Sequence, residues 1–200
     1  MTREQMAAFL AAVEPRHYAL FLTMARTGMR ISEVIGLEWG DIDIAGREIT
    51  IARAVSRGAV GAPKSGHSRR VDMSEQLAAA LMAVRPASPA GPVFTVGGAR
   101  ISEDWIRGAL ARGLKAAGLP HFSPHAFRHS YASQMLQASE SPAYVQRQLG
   151  HASISLTVDT YGSWLPSSNR AAANRLDDNA DVKRARIEAE VTAVVNGLKV

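Results

Sequence analysis

The N-terminal part of the chain carries apolar residues at helical spacing. Thr2 and Gln5 have the spacing of a capping box, which predicts that a helix begins there. Two further helices are predicted, one between Pro15 and Gly28 and a shorter one after it. The apolar positions of the three helices are Met6, Phe9, Leu10 and Val13, then Leu20, Phe21 and Met24, then Ile31, Val34, Ile35 and Leu37.

The period of the pattern then changes to that of β-strands. Two short runs alternate between apolar and polar residues on either side of a turn at residues 45–47, which predicts a hairpin (Ile42, Ile44, Ile49, Ile51). A polar, glycine-rich stretch at residues 56–68 predicts a loop, and residues 70–73 predict a third strand.

Most of the remaining chain has a helical pattern. Ser74, Ser123 and Ser141 are predicted helix caps, and a segment rich in proline and glycine at residues 85–98 is a predicted surface loop. The predicted helices run from Ser74 to Val84, at 103–117, at 124–138, at 142–150, from about Asn169, and at the C-terminal end, where Ile187, Val191, Val194, Val195 and Leu198 form one stripe. The fold class is therefore mainly α with a small antiparallel β-sheet (α+β).

Charge and composition narrow the possible classes of protein. The net charge is +5, which makes a polyanionic partner plausible, and only 4 of the 23 basic residues are lysines, leaving 23 − 4 = 19 arginines. An arginine-rich codon usage explains this excess equally well, so charge alone decides little. The absence of cysteine excludes disulfides and thiolate zinc sites, and it is compatible with a cytoplasmic protein. No apolar stretch is long enough to span a bilayer, so no membrane association is expected.

Four separated segments hold polar residues that could carry chemistry. His125 and Arg128 are three apart on a predicted helix and hence share a face. Arg30 and Glu33 follow a glycine-ended helix, Lys64 lies in the loop before the third strand, and His151 precedes Tyr161.

These segments resemble, in order and spacing, the signatures of tyrosine recombinases and phage integrases. The run His125 to His129 is similar to the family's His-x-x-Arg box, and Leu149 to Tyr161 resembles its second signature. Thr27 to Arg30, with Glu33, resembles the first arginine box, and Lys64 is similar to the β-hairpin lysine. The resemblance covers the chain from Thr2 to about Leu176.

The resemblance implies a fold, an activity and an assembly. Residues 1–176 are expected to form a tyrosine recombinase catalytic domain and residues 177–200 a helical tail, with the family's N-terminal core-binding domain absent from this chain. The expected activity is integration or excision of double-stranded DNA through a 3′-phosphotyrosyl link to Tyr161, without cofactor or metal. The family also implies a monomer that forms a homotetramer on DNA, in association with the bacterial nucleoid. The C-terminal stripe is then expected either to dock on a neighbouring protomer or to pack on its own domain.

The chemistry implies a role for each residue type. Arg30 and Arg128 are expected to clamp the phosphate oxygens, with Glu33 holding Arg30 in place. Lys64 is expected to donate a proton to the departing 5′ oxygen. His125 is expected to be the base for Tyr161, and His151 is expected to donate a hydrogen bond to a phosphate oxygen. The division of these two roles between the histidines stays open. Arg57 and Arg69 are predicted to bind DNA.

Other interpretations stay open for each residue. Tyr161 could be a surface aromatic residue beside Trp164, Lys64 a solvated lysine, and Arg30 with Glu33 a local ion pair. His125 and His129 have a spacing that can bind zinc. However, Ala126 replaces the acid of the zinc-protease signature and the charge of Arg128 would repel the ion, so no metal is expected. His129 is therefore interpreted as a packing or hydrogen-bonding residue. A type IB topoisomerase-like enzyme and a DNA-binding regulator without activity are the alternative functions.

Overall fold

The protein is described by a computed structural model, which covers residues 1–64, 66–164, 170 and 180–197. The helices in this part of the chain are α1 (Arg3–Ala12), α2 (Pro15–Thr27), α3 (Ile31–Gly36), α4 (Glu75–Val84), α5 (Glu103–Ala116), α6 (His125–Gln137), α7 (Pro142–Leu149), α8 (Ile154–Tyr161) and α9 (Ala180–Gly197), with single 3₁₀ turns at Trp39–Asp41 and Gly162–Trp164. The strands are β1 (Ile42–Asp43), β2 (Glu48–Ile51), β3 (Ala54–Ser56), β4 (Ala59–Gly61), β5 (Arg69–Asp72), β6 (Thr95–Val96) and β7 (Ala99–Arg100).

The helix starts follow the capping residues for the most part. Thr2 and Gln5 form the predicted capping box of α1, and the hydroxyls of Ser74 and Ser141 accept hydrogen bonds from the first turns of α4 and α7. The prediction for Ser123 was wrong, because α6 begins after Pro124 without a side-chain cap.

The predicted strands form one antiparallel sheet in the order β1-β2-β5, in which Ile49 lies opposite Val71. The loop predicted at 56–68 contains a strand pair instead, since β3 and β4 form a hairpin whose turn places Arg57 and Gly58 at positive φ, 51° and 79°. Such a turn matches the twist of a hairpin. A third hairpin, β6 and β7, lies at the end of the other predicted loop.

The core consists of two clusters of buried residues that α6 joins. The first contains the mutually packed rings of Phe9, Phe21 and Phe127, with centroids 5.0–5.7 Å apart. The second consists of Tyr131, Ala132, Leu136, Val145, Leu149 and Tyr161. Successive turns of α6 therefore contribute to both clusters, and Arg128 lies on the helix between them.

The chain divides into two compact units, Met1–Leu165 and Pro166–Val200. Three sequence predictions lie outside the described residues: the boundary at 176/177, the start of a helix near Asn169, and the stripe position Leu198. In α9, Ile187, Val191 and Val194 are exposed. None of the helices described is both long and apolar enough to cross a membrane.

Gly28 is the point at which the C-terminal end of α2 meets the second cluster, and we predict that alanine there is poorly tolerated. Its φ is +60°, and a Cβ would lie 2.7 Å from Tyr131 Cδ1 and 2.8 Å from Leu149 Cδ2. We expect Gly28→Ala to lower the free energy of unfolding by about 2–4 kcal/mol, measured by urea denaturation, because strained backbone and overpacking add.

Gly118→Ala is the matched control. Gly118 has a similar φ of +65°, but a Cβ there would meet nothing within 4 Å. It should cost only about 1 kcal/mol, the backbone part of the effect. Equal losses in the two variants would show that the contact with the second cluster contributes nothing.

Candidate active site

The carboxylate of Glu33 is fully buried and receives hydrogen bonds from two arginines. Its Oε1 accepts from Nη1 of Arg30 at 3.0 Å and from Nη1 of Arg69 at 2.8 Å, and its Oε2 accepts from Nη2 of Arg69 at 2.8 Å. The backbone N–H of Arg30 also donates to Oε2 at 2.8 Å. Burial alone would raise the pKa of Glu33, but the hydrogen bonds and charges of Arg69 and Arg30 outweigh it and hold the pKa below its ordinary value.

Arg69 is placed differently from the DNA contact that the sequence predicted. Its Nη1 and Nη2 both donate to Glu33, and its Nε donates to the carbonyl of Gln148 at 2.9 Å. The side chain is only 10% exposed. All three nitrogens of the guanidinium are thus bonded inside the protein, where they tie β5 to α3 and to the end of α7.

Arg128 is buried between the two core clusters, and its guanidinium links the ends of two helices. Nη1 donates to the carbonyl of Gly28 and Nη2 to the carbonyl of Leu149, both at 2.8 Å. Burial, followed by the charge of Arg30, lowers the pKa of Arg128 to about 10. The side chain therefore stays positively charged at neutral pH.

His151 lies directly after the turn that Leu149 and Gly150 form. Its Nδ1 is 2.8 Å from the hydroxyl oxygen of Thr157, and its ring is parallel to that of Tyr161 with centroids 6.4 Å apart. Burial and the charges of Arg128 and Arg30 lower the pKa of His151 to about 4. The imidazole is thus neutral at pH 7, with Nδ1 hydrogen-bonded to Thr157.

Tyr161 ends α8 and is 4% exposed, so it is a member of the second cluster and not a surface ring. Its hydroxyl is hydrogen-bonded to Nδ1 of His129 at 2.8 Å. Burial raises the pKa of Tyr161, although the charge of Arg128 opposes this effect. Trp164, considered as its packing partner, is 49% exposed.

Two histidines lie one helical turn apart beside this hydroxyl. The rings of His125 and His129 meet edge to face with centroids 4.7 Å apart. Burial is the largest cause that lowers the pKa of each histidine. The charges of His129 and Arg128 lower the pKa of His125 further, and the charge of Arg128 lowers that of His129. The interpretation of His129 as a hydrogen-bonding residue is confirmed, but its partner was not foreseen, because a contact between residues 32 apart has no signal in the local sequence.

Lys64 and Arg57 lie apart from this group. Arg57 forms the tip of the β3–β4 hairpin, Lys64 follows β4, and both are exposed. Arg30, Glu33, His125, Arg128, His151 and Tyr161 are therefore the predicted residues that the structure brings together. Within the described ranges there is no cluster of three or more His, Asp and Glu side chains arranged to hold a metal ion.

A tyrosine, two fixed arginines and neutral histidines around a small space are the features of a phosphoryl-transfer site that works through a covalent tyrosine. Residues 1–164 match the family described as the phage integrase family, and the chain belongs to it. The resemblance stated from the sequence is thereby confirmed, and covalent linkage of DNA to tyrosine is a general property of this family.

Proteins similar to this chain are named as integrases or tyrosine recombinases. The ICEBs1 integrase of Bacillus subtilis (strain 168) is 27% identical over 198 residues, which cover 88% of this chain and 53% of that protein. The tyrosine recombinase XerC of Neisseria meningitidis serogroup C (strain 053442) is 34% identical over 148 residues, covering 71% of this chain and 45% of that protein. The chain thus spans about half the length of these relatives.

Solved structures share the fold. The Tn1549 transposon integrase in complex with transposon right end DNA is 26% identical with a TM-score of 0.73, and the match covers 88% of this chain and 65% of that one. The catalytic domain of bacteriophage HP1 integrase is 19% identical with a TM-score of 0.64, covering 87% of this chain and 92% of that one. The predicted fold class, a mainly α tyrosine recombinase catalytic domain, is confirmed.

We predict that Glu33→Gln destabilises the protein in a pH-dependent way. Removing the charge leaves buried Arg69 without its carboxylate, which should lower the free energy of unfolding at pH 7 by about 3–5 kcal/mol. The folded-state pKa of Glu33 is lowered from 4.5, so the stabilisation is present above that pH and is lost as the pH falls through the folded-state pKa. Urea denaturation from pH 7 to pH 3 should show the gap between wild type and variant closing in acid.

Glu48→Gln serves as the control for this prediction. Glu48 pairs with Arg70 at 3.3 Å, but the arginine side chain is 72% exposed and the carboxylate 39%. Its loss should change stability by less than about 1 kcal/mol. A gap for Glu33→Gln that stays constant in acid would contradict the assignment of the charge.

Proposed function

We propose that this chain is the catalytic domain of a site-specific recombinase that cleaves and rejoins duplex DNA through a 3′-phosphotyrosyl intermediate on Tyr161. Integration or excision of DNA is the process it would serve. The observation that carries the proposal is the excess of positive charge near Tyr161. The charge of Arg128 acts on Tyr161, and Arg30 and Arg69, which share the buried carboxylate of Glu33, act in turn on Arg128. A phosphodiester is the anion that such a site would attract.

The guanidinium groups would stabilise the pentacovalent transition state. Arg128 uses two of its five N–H groups on the carbonyls of Gly28 and Leu149, and Arg30 is held by Glu33 while its side chain stays 23% exposed. Their remaining N–H groups, with Nε2 of His151, would donate to the non-bridging oxygens. Fixed donors of this kind act without reorganisation during the reaction. In this proposal Arg69 supports the site and does not itself bind DNA.

The β3–β4 hairpin would supply the remaining groups from the exposed side. Lys64 carries the proton for the departing 5′ oxygen, and Arg57 at the hairpin tip contacts the DNA backbone. This requires the exposed strand β4 and the segment that follows it to approach bound DNA.

The partner and the assembly follow from the same proposal. The Tn1549 transposon integrase was solved with transposon DNA, which supports double-stranded DNA as the partner. We propose a monomer without DNA and a homotetramer on two DNA sites, acting at the bacterial nucleoid. The exposed stripe of Ile187, Val191 and Val194 on α9 supports contact with a neighbouring protomer.

Tyr161→Phe should abolish covalent capture of DNA, because it removes the nucleophilic oxygen and little else. The chain is incubated with a pool of random-sequence duplexes that carry a nick in one strand. Cleavage near the nick releases a short fragment, and its loss prevents religation. Protein–DNA adducts that resist SDS are then isolated and sequenced, which recovers the target site. We expect adducts with wild type and none with Tyr161→Phe.

Tyr18→Phe is the control, since it removes a hydroxyl that is bonded to Gln76 on a distant surface, and it should form adducts as wild type does. Adducts without sequence preference would favour the topoisomerase-like alternative. Sequence-specific binding without adducts would favour the regulator, and either result would contradict the proposal.

Arg30→Lys should slow adduct formation on the recovered site by about 10²-fold or more, because one ammonium cannot replace the fork of donors. Arg47→Lys, which changes an exposed arginine paired with Glu75, should leave the rate unchanged. The measurement is the single-turnover rate of adduct formation. Similar rates for both variants would contradict the role of Arg30.

A further inference from the structure

The hydroxyl of the proposed nucleophile contacts a histidine that the family resemblance did not assign. Tyr161 Oη lies 2.8 Å from Nδ1 of His129, and the two rings meet at 60° with centroids 5.6 Å apart. His129 is exposed as a residue, while Tyr161 is buried. A cavity of about 620 Å³ lies against both residues and connects them with solvent.

The protonation states fix the direction of this hydrogen bond. Burial raises the pKa of Tyr161, so its hydroxyl carries the proton and donates. Burial, Arg128 and the amino terminus of the chain lower the pKa of His129, so its imidazole is neutral and Nδ1 accepts, with the ring proton on Nε2.

We propose that His129 takes the proton from Tyr161 as the tyrosine attacks, and that His125 does not. The proposal rests on the function proposed above and deepens it. Tyr161 Oη forms a bond to phosphorus, its proton passes to Nδ1 of His129, and the bond from phosphorus to the 5′ oxygen breaks. That oxygen receives the proton of Lys64. In religation each proton returns along the same route, so no further reactant is needed.

The arrangement of α6 separates the two histidines by function. Arg128 and His129 are adjacent, so their side chains diverge by about 100° around the helix. His125 lies one turn before His129 and contacts its ring edge to face, while the hydroxyl of Tyr161 is hydrogen-bonded to His129. His151 is hydrogen-bonded to Thr157 through Nδ1, and the charges of Arg128 and Arg30 act on both His125 and His151, so these two histidines would serve the phosphate.

The groups that act on His129 come from several elements. On α6 they are Arg128 and His125, from the N-terminal segment the amino group of Met1, and from α8 Tyr161. The positive groups all favour the neutral imidazole, so His129 is ready to accept a proton at neutral pH.

The test uses His129→Asn in the full chain, with the nicked substrate of the recovered site. The Oδ1 of asparagine can lie near the place of Nδ1 and accept the hydrogen bond, but it cannot take up the proton. We expect adduct formation at pH 7 to slow by about 10²- to 10⁴-fold and to recover about tenfold per pH unit as the pH rises towards the raised pKa of Tyr161. A residue that only positions the ring would be replaced by asparagine with little loss and no new pH dependence.

A second substrate separates the base from the acid. With sulfur in place of the bridging 5′ oxygen, the leaving thiolate needs no proton, so Lys64→Ala should regain its rate while His129→Asn should stay slow. His121→Asn, an exposed histidine before α6, is the matched control and should be unaffected. His125→Asn should be slow but should keep the pH profile of wild type.

Folding and function are checked apart from each other. Thermal unfolding shows whether His129→Asn folds, and ¹⁵N NMR of the wild-type chain without DNA should show Nδ1 of His129 as a hydrogen-bond acceptor that changes in Tyr161→Phe. If wild type forms adducts, the proposed function stands. The assignment of the base is nevertheless overturned if His129→Asn forms adducts at the rate of wild type, or if the steep pH profile appears in His125→Asn instead. If wild type forms no adduct, both are overturned.

Discussion

The site depends on an imbalance of buried charge. The guanidinium groups of Arg30, Arg69 and Arg128 lie close enough to affect one another, and the carboxylate of Glu33 is the negative charge that faces them. Without Glu33 the arginines would repel one another and could not stay buried. With one carboxylate for three guanidinium groups, the site is held together and still keeps a surplus of positive charge. An incoming phosphate is the group that would complete the balance.

The same charged groups connect helices and strands that are distant in the sequence. Arg128 joins the ends of α2 and α7 through two backbone carbonyls, and Arg69 joins β5 to α3 and α7. The ends of helices carry carbonyls that lack partners within the helix, so these bonds also satisfy groups that would otherwise be costly to bury. The bonds that hold the site together therefore also hold the ends of these elements in place.

The sequence predicted the elements that have a strong local pattern and the residues that carry a motif. The helices α1 to α7 and the sheet β1-β2-β5 were predicted from periodic apolar residues and from capping residues, whereas α8 was not predicted. The β3–β4 hairpin was not predicted either, because its strands are short and largely exposed, so they show no alternation. The bond of Arg69 to Glu33 and that of His129 to Tyr161 were also out of reach, since each depends on side-chain directions in the folded chain.

The surplus charge also sets the behaviour of the histidines around the phosphate. Burial is the main cause that lowers the pKa of His125, His129 and His151, and the charge of Arg128 lowers each of them further, so all three imidazoles are neutral at pH 7. A bound phosphodiester adds a negative charge and offsets part of this effect, so the affinity of each imidazole for a proton rises when substrate arrives. In the proposed mechanism, Arg128 would thus both attract the phosphate and help to hold the acceptor in its neutral form beforehand. Because the proton affinity of the histidines would rise only with DNA in place, activation of the buried tyrosine would be coupled to binding.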